Sequence, residues 1–117
     1  VVDLSGSANE WTYRKWNSGK GECWKTLAHS TAINTAWGSL YCGTATSRQN
    51  YPFTFTATPV ETVNVLSGTN AVMLMTESGG RGQNGAYATA CYNVVRPTAI
   101  TSSGTYNFSF YVCGNWK

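Results

Sequence analysis

Charge is the scarcest property of this chain. Of 117 residues, 8 are Lys or Arg and 5 are Asp or Glu, so 11% is charged, far below the usual quarter. Acid–base or glycosidic chemistry needs two convergent carboxylates. Asp3, Glu10, Glu22, Glu61 and Glu77 are scattered and show no grouping. His29 is the single histidine, which leaves one candidate base for a Ser or Cys nucleophile, and no GxSxG accompanies it. It reads as a solvated or hydrogen-bonded strand residue. No run of Lys/Arg exceeds two residues, so the footprint of a duplex nucleic-acid binder is missing. No stretch of 18 apolar residues exists, which excludes a helical membrane span. The chain starts at Val1 without a basic or apolar leader, and reads as a piece of a longer or processed protein. No enzymatic activity, metal or cofactor is expected.

Cysteine is present in an even count, Cys23, Cys42, Cys91 and Cys113, spaced by 19, 49 and 22 residues without a CxxC. That spacing gives little support to a zinc site. Two disulfides are the default in a secreted domain. The aromatic content suggests a core that stands alone, so free, mostly buried thiols are the favoured reading, since free Cys packs as a small hydrophobe.

What the chain has is alternation. Tyr106, Phe108, Phe110 and Val112 share one face of a period-two segment, the mark of a half-buried strand. Residues 86–95 alternate likewise, with Ala86, Ala88, Ala90, Tyr92 and Val94 on one face. Tyr51, Phe53, Phe55 and Ala57 alternate around Pro52, which confines that strand to an edge or a strand start. Segments 60–66 and 71–77 are apolar on both faces and read as central strands joined by the turn 67–70. Pairing 86–95 with 104–113 as a hairpin would set Cys113 opposite Tyr87, not Cys91, and a Cys91–Cys113 bridge would refute that pairing. No helical stripe or βα alternation is visible. The expected fold is all-β, an antiparallel β-sandwich of jelly-roll type. Residues 1–10 are read as a junction and 11–117 as the sandwich domain.

Binding residues of a sandwich usually sit on its end loops. Two loops stand out, 37–50 and the Gly-rich 77–85. Trp37, Tyr41 and Tyr87 offer stacking faces, and Arg48, Asn50, Arg81, Gln83 and Asn84 offer planar polar groups suited to hydroxyls or carboxylates. Trp24, Phe53, Phe55, Phe108 and Phe110 are expected in the core. Gly79-Gly80-Arg81-Gly82 lacks the Lys-Ser/Thr and helix of a phosphate loop, and reads as a hairpin tip.

One motif is long and specific. Trp11-Thr12-Tyr13-Arg14-Lys15-Trp16-Asn17-Ser18-Gly19, followed by Glu22-Cys23-Trp24, resembles the WTYRKWxSGxxECW signature of phage tail-fibre and minor structural proteins. Tyr51-Pro52-Phe53-Thr54-Phe55, Arg96-Pro97-Thr98 and the terminal Gly114-Asn115-Trp116-Lys117 extend the resemblance in order. Lys20-Gly21 departs from it, standing where Ile-Ala is common. The resemblance implies the head of a virion fibre, a homotrimer that attaches to a bacterial surface glycan or wall polymer, with no nucleic-acid partner and no membrane insertion. Residues 1–10 would then join stalk to head, Trp11, Tyr13 and Trp16 would pack across the subunit interface, and assembly in a reducing cytoplasm would keep the thiols free. A structural alternative is a head that only caps and registers the trimer.

Overall fold

The structure, a computed structural model, describes residues 2–8, 11–77 and 86–117. The loop residues Arg81, Gln83 and Asn84 lie outside the described residues. Nine strands and no helix occur among the described residues: β1 (Val2–Ala8), β2 (Trp11–Trp16), β3 (Lys20–Ile33), β4 (Thr35–Trp37), β5 (Leu40–Cys42), β6 (Val60–Gly68), β7 (Met73–Glu77), β8 (Cys91–Arg96) and β9 (Ile100–Asn115). They form two antiparallel sheets, ordered β1-β2-β3-β9-β6 and β4-β5-β8-β7. The fold is all-β and sandwich-like. Residues 2–8, expected as a junction, form an edge strand paired along β2.

Period-two alternation decides what faces inward. On β9, Tyr106, Phe108, Phe110 and Val112 are fully buried. Cys23 pairs with Val112, and Lys25 with Phe110, so the same face continues across β3. The opposite sheet meets it through Tyr92 and Val94 of β8, and Tyr92 packs on Phe110 with ring centroids 5.7 Å apart. Trp11 completes the cluster, 6.0 Å from Phe110 and 5.8 Å from Tyr51.

Register also turns two charged residues inward. Glu61 pairs with Val112, which aims its carboxylate between the sheets. There it accepts hydrogen bonds from the hydroxyls of Tyr51 (2.7 Å) and Tyr92 and from the Ala90 N–H (3.4 Å). Lys25 donates to Gln49 Oε1 at 2.9 Å and lies 5.5 Å from the Trp11 ring centre. Both satisfy the rule that buried polar groups are paired. The Glu61 contacts tie β6 of one sheet to β8 of the other.

Four expectations are corrected. Residues 51–57 are not a strand. Pro52 has no N–H for a ladder, and Tyr51 and Phe55 instead anchor a bent crossing, their N–H groups bonding to the Tyr87 and Ala86 carbonyls. The segments 60–66 and 71–77 are not paired central strands: β6 and β7 sit at edges of different sheets, and Val60 and Leu66 are 66% and 61% exposed. The strand expected at 86–95 runs 91–96 and does not pair with β9. The two face each other across the core, which buries Tyr92 and Val94, while Asn93 on the opposite face of β8 is buried and donates to the Gly43 carbonyl at 2.8 Å. Trp24 leaves the core for the outer face of the larger sheet, since its neighbour Cys23 takes the inward position.

Cys23, Cys91 and Cys113 are free thiols, and Cys23, Cys42 and Cys91 are buried. Burial, with Glu61 and Glu22 nearby, pushes the Cys23 thiol from 9.0 up to about 12. Tyr92 is also raised, by burial and by its bond to Glu61. A group with a raised folded pKa contributes its full stability below the unfolded pKa and loses it as pH rises through the folded one. Stability is therefore expected to fall from about pH 9 upward through Cys23 and from about pH 10 upward through Tyr92, at about 1.4 kcal/mol per pH unit for each. Urea midpoints between pH 8 and 11 test this, and Cys23→Ala should flatten the decline.

Aromatic packing closes one end of the molecule. Lys15 Nζ lies 4.7 Å from the Phe53 ring centre, 5.0 Å from Trp116 and 5.6 Å from Tyr13. Gly21 sits beneath them, and a Cβ there would lie 2.9 Å from the Phe53 ring. Gly21→Ala is expected to cost about 1–3 kcal/mol by overpacking, measurable as a lower urea midpoint with an unchanged slope.

Candidate functional site

The outer face of the five-stranded sheet collects the chemistry of the signature motif. Alternation on β2 puts Thr12, Arg14 and Trp16 outward, because Thr12 pairs with Trp24 and Arg14 with Glu22. The β3–β9 register extends the row: Trp24 pairs with Tyr111 and Glu22 with Cys113, and Val60 follows on β6. One surface therefore holds two indoles, a phenol, a guanidinium and a carboxylate.

These groups fix one another. The Arg14 guanidinium stacks 5.1 Å from the Trp24 ring centre, a geometry that suits its planar cation. Its Nη1 lies 3.9 Å from Glu22 Oε1. Glu22 also accepts the hydroxyl proton of Tyr111 in a short hydrogen bond. That bond, then partial burial and the carboxylate charge, push the Tyr111 phenol from 10.0 up to about 12, with Arg14 opposing. The result is an ordered Arg–Glu–Tyr array beside the Trp24 ring. A cleft of about 270 Å³ adjoins it, with Trp16, Lys20, Glu22, Val60 and Cys113 around backbone at Gly21 and Gly114. Among the described residues no cluster of His, Cys, Asp or Glu could hold a metal ion. Glu22 and Glu61 lie on opposite faces of their sheet by register, so they do not converge as a catalytic pair.

The loop residues expected to bind split into two groups. Arg48, Asn50 and Tyr87 are neighbours: Asn50 bridges Ala88, Arg48 Nη1 donates to the Thr89 carbonyl at 3.4 Å, and Tyr87 is 63% exposed. Trp37, 53% exposed, and half-buried Tyr41 lie on the β4–β5 hairpin, where Tyr41 pairs with Arg96. The length of β8 alone separates the two groups by ~17 Å. Of the expected interface residues, Trp11 is fully enclosed by this chain's own core and has no surface left for a neighbour. Tyr13 packs edge-on against Phe53 at 5.6 Å. Trp16 remains on the outer face, where its carbonyl also accepts from Trp116 Nε1 at 2.9 Å.

Arg14, Glu22, Trp24 and Tyr111 were not among the expected binding residues. The missed signal is that positions 12, 14 and 16 and positions 22 and 24 each share a face under period two. Taken together, fold and site define an all-β module with an open aromatic and polar sheet face. No family model, curated protein or solved structure matches the chain.

Proposed function

We propose that this chain is the tip domain of a virion tail fibre, that it assembles as a homotrimer of jelly-roll-like heads, and that it binds a bacterial surface glycan or wall polymer. The observation that carries this reading is the ordered outer face, where paired Trp24 and Tyr111 form the row beside an Arg14–Glu22 pair. Sugars present alternating apolar faces and hydroxyl rims. Aromatic surfaces take the former, and fixed planar donors and acceptors take the latter. Pre-ordering lowers the entropy cost of each contact, and three linked heads would convert weak contacts into avid attachment.

The structural alternative, a cap that only registers the trimer, draws support from the exposed Val60 and Leu66 on edge strand β6. One experiment separates the two. Labelled domain is incubated with purified bacterial wall fractions while its mass is measured by sedimentation. Trp24→Ala is expected to weaken wall binding about tenfold or more per head, in line with a buried aromatic anchor, while the mass stays at three chains. Wall binding unchanged in a well-folded Trp24→Ala trimer would favour the capping role.

A further inference from the structure

We infer that the open edge of β6 pairs with β6 of a second copy of this chain, antiparallel and about a two-fold axis through Val63. β6 ends the five-stranded sheet: it pairs with β9 on one side, and among the described residues no strand pairs its other side. Such an edge leaves a row of backbone N–H and C=O groups ready for another strand, and proteins usually guard it with Lys, Pro, a bulge or a charge. No Lys or Pro stands in Val60–Gly68. The bulge between Val65 and Ser67 disturbs only the far end of the strand. Glu61, its single charge, faces inward and is already held by Tyr51, Tyr92 and the Ala90 N–H, so pairing would strand no carboxylate.

The identity of the partner follows from the pattern of the strand. Val60, Thr62, Asn64 and Leu66 are exposed, while Glu61, Val63 and Val65 are half-buried. Residues opposite one another in an antiparallel pair share a face, so a two-fold pairing keeps its faces matched only when it centres on a residue. Centring on Val63 sets Val60 opposite Leu66 of the second copy, and does so twice. These are the two most exposed large hydrophobic residues among the described residues of the five-stranded sheet, and this register covers each with the other. Thr62 meets Asn64 in both halves, and Val63 meets its own copy. The facing rows carry no charge, so two copies with a formal net charge of +3 each meet without local repulsion. The stretch 60–66 spans ~24 Å. One strand pair buries less than a standard interface, which makes the contact weak and concentration-dependent. A two-fold contact joins chains in pairs and cannot close a ring of three, so it is separate from the trimer proposed above.

Sedimentation of the full chain from micromolar to millimolar concentration tests this, beside Leu66→Lys, a change on the exposed face that spares the core. Wild type is expected to reach twice the mass of Leu66→Lys at the upper end. That ratio holds whether the variant sediments as one chain or as three, so the result stays readable if the trimer reading fails. Charge pairing tests the register: Val60→Lys and Leu66→Glu should each pair poorly with themselves and well with one another, because positions 60 and 66 face each other. Urea midpoints establish that each variant is folded. Equal masses for wild type and folded Leu66→Lys, or a mixture of the two charge variants no heavier than its parts, would overturn the inference and leave the edge to a strand of another protein.

Discussion

Replacing Glu61 by alanine is expected to lower the unfolding free energy by about 2–4 kcal/mol, because it leaves two hydroxyls and one N–H without their acceptor. The donors are Tyr51, Tyr92 and the Ala90 amide. Glu61 stands on an edge strand, where a deleted side chain would ordinarily matter little. The large effect comes from its inward register and from bridging the two sheets. Glu61→Gln keeps one oxygen acceptor and should lose about half as much, since a charged acceptor is about twice as strong as a neutral one. A double-mutant cycle with Tyr92→Phe should show coupling of about 1 kcal/mol or more. Additive losses in that cycle would mean the carboxylate is solvated rather than held between the sheets.

The second large effect is Phe110→Ala, expected to cost about 3–5 kcal/mol. Phe110 is fully buried, packs on Trp11 and Tyr92, and is one of the points where the two sheets touch. Its neighbour Tyr111 points the other way and is 41% exposed. Tyr111→Ala should therefore cost well under half as much, although it removes a larger side chain. Urea denaturation of the pair checks the alternation directly. Equal losses at 110 and 111 would contradict the face assignment of β9.

Much of the fold was legible because alternation is a local signal. The run Tyr106, Phe108, Phe110 and Val112 identified its own buried face, and the all-β class followed from several such segments. Sheet membership was not legible. Residues 91–95 and 106–112 each read as strands, yet nothing local says whether two strands pair edge to edge or pack face to face. That choice rests on the long connections, and the 43–59 segment illustrates why they resist reading. Its aromatics alternate, but Pro52 and the bonds from Tyr51 and Phe55 to residues 86–87 make it a crossing rather than a ladder.

The candidate site was harder for a related reason. Loops were favoured because binding residues often sit there, and the loop candidates Trp37 and Tyr41 ended far from Arg48, Asn50 and Tyr87. Trp24 reads as core filling among the other aromatics of the sequence. Counting in twos from Cys23 would have sent it outward, together with Glu22 and Arg14. The partnership with Tyr111 needed the β3–β9 register, which joins residues 87 positions apart and leaves no trace in local sequence.

The most direct test of the account is a residue-resolved NMR titration of the isotopically labelled chain with a soluble fragment of bacterial wall polysaccharide. Shifts concentrated on Arg14, Trp16, Glu22, Trp24 and Tyr111 are the predicted result. Shifts confined to the Trp37–Tyr41 hairpin or to Arg48, Asn50 and Tyr87, with the five-stranded sheet's outer face unmoved, would contradict it.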